Sequence, residues 1–450
     1  MRKLFISAAA AIISSIAAVA QHSEIHATLD NSKIYPSTVH SYIITVPESY
    51  TPDKPAALYL GLDGILCYAP EVIDSLMAKQ IIPTTIGVFL QPGVVKDSDG
   101  TVLRYNRSNE FDATDDRFAT FIETELLPAV EKAVTADGRS VKLTRDPENR
   151  MIFGLSSGGI AAFTAAWHRP DLFGKIFSGC GTFVPMRGGQ NIQAIVRKHE
   201  PKPLRICLQD GYSDTWNPIF GSWFEANAML GTALQFAGYA PMLDWAEGGH
   251  SVRRATEIFP DVMTWMWQPD TAAHASSNDF LAPRLIPGND WEKITTPVAV
   301  NPQSPLTLPD GSAADTYAFY PDKRHVAVTV PGSNFLDQYL VDTDGKLHSG
   351  QRFYWLHDYD NSQLTIGSMT FDGDGYLWVV TSAGIQACDQ NGRVRGILTL
   401  PRDLNIATTS IAIPIDNIVI ITDGTHSYQR TFKNLPRPID GQRPKSQGPA

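Results

Sequence analysis

Residues 154–159 read Gly-Leu-Ser-Ser-Gly-Gly. A serine with glycine two residues away on either side can sit on a sharp, exposed turn, because neighbours without side chains tolerate backbone that other residues resist. A lone aliphatic hydroxyl is a weak nucleophile. Attack on a carbonyl by Ser156 therefore requires a base, an acid to orient that base, and donors for the developing oxyanion. The plainer reading makes Gly154 and Gly158 turn residues and Ser156 a helix cap. The surroundings have to decide between them.

Sheet enzymes with this kind of turn place the set in the chain order serine, acid, histidine. Of eleven histidines, His250 stands out, because it ends the loop Glu247-Gly248-Gly249-His250 after an apolar stretch and before a final helix. His168 is the rival base. It ends the helix that follows the serine and points away from that helix's start, which reads as structural. For the acid, the run from Ile206 to Asn217 leaves an apolar strand and offers Asp210 and Asp214. An Asp-Gly pair at a strand end often only makes the turn. Asp214 is preferred because it leaves room for one helix and one strand before His250, with Asp210 as the alternative and Glu225 as an outsider. The oxyanion donors are expected to be the Ser157 amide and the Asp63-Gly64 step after the strand ending at Leu60.

The elements that must hold these residues follow from periodicity. β-Rich runs at 41–46, 56–60, 84–90, 150–153 and 204–208 alternate with helical spacing at 69–78, 117–134, 159–168, 223–237 and 260–267. That alternation predicts an α/β fold, a parallel sheet covered by helices. Beyond about residue 290 the texture changes to strands joined by Asp-rich turns, such as Phe371-Asp372-Gly373-Asp374-Gly375. This half is expected to be a smaller all-β domain with a loose propeller-like repeat.

The chain of 450 residues is long enough for two cores. Met1-Arg2-Lys3, the apolar run from Leu4 to Val19 and the ending Ala18-Val19-Ala20 have the form of a secretory signal over residues 1–20, giving an exported, periplasmic or extracellular protein without a membrane anchor. The expected units are then 21–267, a linker at 268–289, a β-domain at 290–433 and a disordered tail at 434–450. Four cysteines make no disulfide framework at this size and are expected as buried thiols. A net charge of −10 argues against nucleic acid as a partner. No cofactor is implied.

Taken together, Leu62-Asp63-Gly64, Arg107 to Asp112, Glu125 to Pro128, Gly154 to Gly159, Arg169 to Phe173, Gly211 to Asp214 and Gly248 to Ser251 resemble the esterase D-like branch of the α/β-hydrolases, with the enterochelin, feruloyl and acetylxylan esterases of carbohydrate esterase family 1. The resemblance implies a Ser156–His250–Asp214 serine esterase. Ester-decorated plant polysaccharides, feruloyl or acetyl, are its expected substrates and siderophore trilactones the runner-up. Arg107 and Glu110 would either contact substrate or hold their own loop. Trp216, Trp223 and Trp245 flank the acid and the base, as stacking surfaces or as core.

The second half resembles the C-terminal part of SMP-30/gluconolactonase propellers, clearest at 368–381 and 384–389. The metal-binding aspartate of those lactonases falls where this chain has Gly367-Ser368-Met369. No metal site is therefore expected, and Asp372 and Asp374 lack the glutamate that a calcium loop needs at Ala383. Two competing readings follow: metal-dependent lactonase activity in the β-half, or glycan binding beside a decayed hydrolase.

Overall fold

The computed structural model describes residues 22–30, 32–269, 275–295, 303–359 and 363–444. The proposed signal segment lies outside them. The first half is built on a ten-stranded sheet. Its members are β1 (His22–Asp30), β2 (Val39–Pro47), β3 (Ala57–Leu62), β4 (Thr85–Leu90), β5 (Val94–Lys96), β6 (Val102–Tyr105), β7 (Arg150–Leu155), β8 (Lys175–Gly179) and β9 (Arg205–Gly211). A short hairpin, β10 (Trp216–Asn217) and β11 (Gly221–Ser222), then precedes the last sheet strand, β12 (Met242–Ala246). The order is β12-β9-β8-β7-β3-β4-β2-β5-β6, with β1 also on β2.

Strands β4, β3, β7, β8, β9 and β12 run parallel, whereas β1, β2, β5 and β6 form an antiparallel flank that the sequence pattern does not reveal. The parallel strands have mostly apolar centres because helices cover both faces. Ile152 joins the core on one face, while Met151 and Phe153 join the core on the other. Truncating Phe153 to alanine would cost about 3–5 kcal/mol.

Helices Ala69–Ala78 and Trp223–Ala237 have the bounds their spacing predicts. Two expectations shift. The stretch from Arg117 to Val130 is broken by a π-turn at Ile122–Leu126, and the final helix starts at Val252 rather than at Pro260. Pro260 lies on that helix's exposed face, where water can satisfy the carbonyl that a proline leaves unbonded.

The second half contains three four-stranded antiparallel sheets. In two of them the strands run in chain order, 317–355 and 366–398; in the third, Glu292–Lys293 pairs outside the last strand, Ser427–Thr431. The strand Ile366–Phe371 packs between Tyr317–Phe319 and Ser410–Ile415. The Asp372 turn is held largely by its own side chain. Its carboxylate accepts from the amides of Asp374 and Tyr376 and from the Trp378 indole at 2.9 Å.

Two boundary expectations give way. The stretch read as a linker plants Phe280 and Leu281 in the β-half's core, and the stretch read as a disordered tail buries Leu435 fully and is bonded through Gly373 N to Pro436 O. Apolar residues inside a polar stretch found a cavity to fill. All four cysteines are free and buried. No helix among the described residues is long and apolar enough to cross a membrane.

Candidate active site

Parallel register brings the strand ends to one level. Leu155 of β7 pairs with Gly179 of β8, Gly179 with Gln209 of β9, and Gly211 with Ala246 of β12. The next residues therefore leave the sheet side by side, and the loops after β7, β9 and β12 can share a site.

Ser156 occupies the turn from β7 to the helix Ser157–His168 with φ 57° and ψ −121°, left-handed backbone that a non-glycine residue adopts only under constraint. The constraint is visible. The Ser156 amide donates to Gly179 O, and its carbonyl accepts from Gly159, Ile160 and Thr182. A Cβ on Gly154 would lie 2.2 Å from the carbonyl oxygen of Gly158, and one on Gly159 would lie 2.7 Å from Ser178 Oγ. Those glycines are there for close approach.

The acid and histidine loops are laced to one another by backbone. Tyr212 N donates to Ala246 O and Ser213 N to Gly248 O, each at 2.9 Å, and a Cβ on Gly211 would meet Gly248 O at 2.3 Å. The side chains then converge. His250 Nε2 lies 2.9 Å from Ser156 Oγ, and Nδ1 donates to Asp214 Oδ1 and Oδ2 at 2.8 and 3.0 Å. The Asp214 side chain is sealed from solvent, whereas that of His250 is 32% exposed. Despite burial, the Asp214 carboxyl is held below the usual range by its hydrogen bonds from His250, Asp210 and the Thr215 amide.

Asp210 also lies here but faces away from His250. Its carboxyl accepts from Gly211 N at 2.7 Å and Asn227 Nδ2 at 2.9 Å. Glu225 serves the helix start instead, its amide donating to Ser222 Oγ. His168 is half-buried against Tyr359, with Nε2 on Thr114 O.

Ser157 is the first residue of its helix, so its amide has no preceding turn to bond. Opposite, Asp63 takes φ 64° and its neighbour Gly64 donates to Leu90 O. Arg107 fixes that turn by a two-pronged ion pair with Asp63, Nε to Oδ1 at 2.7 Å and a terminal nitrogen to Oδ2 at 2.8 Å. Glu110 is buried and structural, accepting from His40, Asn106 and Gly93.

Thr182 and Cys180 were invisible to sequence reasoning as site members, whereas Trp223 was placed there beside the acid and the base. Thr182 Oγ1 lies 3.4 Å from Ser156 Oγ and accepts from Trp223 Nε1 at 3.4 Å. The Trp223 ring stands edge-on to His250, its centroid 6.1 Å away. Cys180 groups with Asp214 and His250, and burial pushes its thiol up to about 12, so it remains protonated at neutral pH. The strand level would have pointed to Cys180 and Thr182, but only once strand order was known.

Several large side chains near these residues in sequence are exposed. Tyr68, Tyr105, Tyr212, Trp216 and Ile219 are all exposed, Trp216 and Ile219 at 70% and 77%, on the loops that carry Asp63, Arg107 and Asp214.

The Esterase family model matches residues 38–284. The chain is 25% identical over 236 residues to the iron(III) enterobactin esterase of Escherichia coli K12, covering 51% of this chain and 53% of the relative. It thus spans about half the length of that relative. Among solved structures, a ferulic acid esterase aligns at 19% identity over 55% of this chain and 98% of its own, with a TM-score of 0.40. An enterobactin esterase from Shigella flexneri, in the presence of 2,3-dihydroxy-N-benzoyl-glycine, aligns at 23% identity over 55% and 59%, with a TM-score of 0.41.

Proposed function

The chain belongs to the Esterase family, and from that premise we propose that it is a serine carboxylic-ester hydrolase working through Ser156, His250 and Asp214. The observation that carries this reading is the unbroken relay from Ser156 Oγ through the imidazole to Asp214. As Oγ attacks the ester carbonyl, Nε2 of His250 takes its proton, and Asp214 holds Nδ1–H and stabilises the imidazolium. The amides of Ser157 and Asp63 receive the oxyanion. Collapse expels the alcohol, which takes the proton back from Nε2. Water activated by the same nitrogen then hydrolyses the acyl-enzyme.

For substrate, we favour phenolic acyl esters of plant polysaccharides over acetyl esters. The support is the exposed rim of Tyr68, Tyr105, Tyr212 and Trp216, since an acetyl group gives such a surface nothing to stack on. Catecholate trilactones are the second reading, favoured by the Escherichia coli relative. Residues 1–20 support export. Residues 290–433 are read as a truncated propeller packed on the hydrolase, a reading that rests on three successive sheets, the middle one packed through the strand Ile366–Phe371 against the other two.

The test compares the intact protein with Ser156→Ala on a nitrophenyl acetate, methyl ferulate, acetylated xylan and a catecholate trilactone, with and without chelator. Chelator-insensitive turnover that the substitution abolishes, fastest on methyl ferulate, is expected. Turnover that survives the substitution would overturn the mechanism, and preference for the trilactone would replace the substrate.

A further inference from the structure

The mechanism above leaves one side chain of the site without a task. Cys180 follows β8, is buried, and takes φ 38°, left-handed backbone that a residue with a Cβ resists. Its amide donates to Gln209 O at 2.6 Å, which ties that backbone to β9. The Cys180 sulfur, a carboxylate oxygen of Asp214 and a ring nitrogen of His250 all lie within 4.8 Å of one another. Among the described residues, no other three histidine, cysteine or acidic side chains gather in this way. They come from the loops after β8, β9 and β12, so nearness in the chain does not explain the grouping.

We propose that Cys180, Asp214 and His250 form an inhibitory site for a thiophilic divalent ion, Zn²⁺ above all, which silences the relay reversibly. Thiolate, imidazole and carboxylate are the ligand types zinc takes, whereas magnesium and calcium take oxygen. A tetrahedral zinc ion with bonds of about 2.0–2.3 Å needs its ligand atoms about 3.5 Å apart, so the widest pair has to close by about 1.3 Å at most. His250 can supply that movement. Its side chain is 32% exposed, and a Cβ on Gly248, two residues earlier, would meet nothing within 4 Å. The ion replaces the thiol proton, which leaves to water, and thiolate and carboxylate together match its charge. Water takes the fourth position. Either ring nitrogen gives inhibition. An ion on Nε2 occupies the lone pair that must take the proton of Ser156; an ion on Nδ1 sends the ring proton to Nε2, which then donates to Ser156 Oγ instead of accepting from it.

The proposal deepens the esterase reading and rests on it in its kinetic arm only. The full chain, freed of metal with chelator and dialysed, is expected to lose hydrolysis of a nitrophenyl acetate as Zn²⁺ is added and to regain it when chelator returns, with Mg²⁺ inert. In Cys180→Ala, scored against its own metal-free rate, the Zn²⁺ needed for half-inhibition should rise at least about 100-fold, more than loss of an outer hydrogen-bonding partner costs. Independently of turnover, Co²⁺ added to the wild type should produce a thiolate-to-cobalt charge-transfer band in the near ultraviolet. Cys67, Cys207 and Cys388 are buried and belong to no such group, so the band should vanish in Cys180→Ser and weaken in His250→Ala. Turnover indifferent to Zn²⁺, equal zinc sensitivity in Cys180→Ala and wild type, or absence of the cobalt band would each overturn the proposal. If wild type hydrolyses no ester, the esterase reading fails and the band alone decides the metal site.

Discussion

His250 and the pair His168 and His199 lie in the same half of the chain but in opposite environments. His250 stands at the open edge of the sheet with a carboxylate on one nitrogen and a hydroxyl on the other. His168 and His199 lie where the β-half docks. Their ring nitrogens meet only backbone carbonyls, those of Thr114 and Glu200, and burial pushes both below the usual histidine range. Around them, Trp167 donates its indole N–H to Tyr359 at 3.0 Å, and the Glu200 amide bonds to Ile397 of the β-half. The difference teaches that an imidazole becomes a base when a sealed carboxylate orients it and solvent can still reach it, whereas one bonded only to backbone carbonyls inside a docking face becomes packing.

Substitution should separate the two regions cleanly. Ser156→Ala and His250→Ala are expected to lower kcat by roughly 10⁶-fold while leaving the melting temperature nearly unchanged. His168→Gln should do the reverse, preserving kcat per folded molecule and lowering the melting temperature. A comparable loss of kcat in His168→Gln would erase the distinction. The interface also holds a buried ion pair, Arg430 with Glu200 at 2.7 Å, both side chains more than nine-tenths covered. Glu200→Gln leaves Arg430 charged and unpaired, so a destabilisation of about 3–5 kcal/mol is expected in denaturant unfolding, again with the relay intact.

Much of the relay was legible in sequence because it is encoded locally. The glycines of 154–159 are required within one turn, the Ser222 cap sets the start of the helix at Trp223, and Gly248-Gly249 marks a loop that must approach another backbone. The choice between Asp210 and Asp214 was not settled in sequence, since either could follow an apolar strand; only the loop's path decides which carboxyl meets Nδ1. Thr182 and Cys180 gave no signal, because their proximity to Ser156 is created by parallel register between β7 and β8. The docking of the β-half was equally hidden. Phe280, Leu281 and Leu435 sit in stretches whose average composition is polar, and burial depends on single residues finding a cavity.

Acid should act on the interface through a third histidine. Across the junction, Lys198 Nζ of the first half donates to His357 Nε2 of the second at 2.6 Å, and burial followed by the lysine charge pushes His357 down to about 4. The unfolded chain binds a proton at His357 near pH 6.5, while the folded chain refuses it until about pH 4. Between those limits the unfolded state holds more protons, so stability falls as pH falls, and the loss is complete below about pH 4. His168 and His199 shift in the same direction and add to it. His357→Gln keeps an acceptor for Lys198 but cannot titrate. Its melting temperature should therefore drop less than that of wild type between about pH 7 and about pH 4, and an unchanged drop would assign the acid sensitivity elsewhere.

The smallest effect belongs to the rim. Trp216 is mostly exposed and lies two residues beyond Asp214, on the hairpin that closes at Ser222 before Trp223. Because its ring contributes little to the core, Trp216→Ala should leave the melting temperature and the turnover of nitrophenyl acetate unchanged. Losing one stacking face is worth about 1 kcal/mol, which raises KM for methyl ferulate roughly fivefold and leaves kcat alone, since the contact is made equally in ground and transition states. Trp223→Ala is the counter-case, because that ring is buried against His250 and Thr182 and its loss should lower kcat on every ester. If Trp216→Ala instead lowered kcat on nitrophenyl acetate, the hairpin would be part of the relay's scaffold, and the line between an oriented base and an open, substrate-facing rim would have to be redrawn.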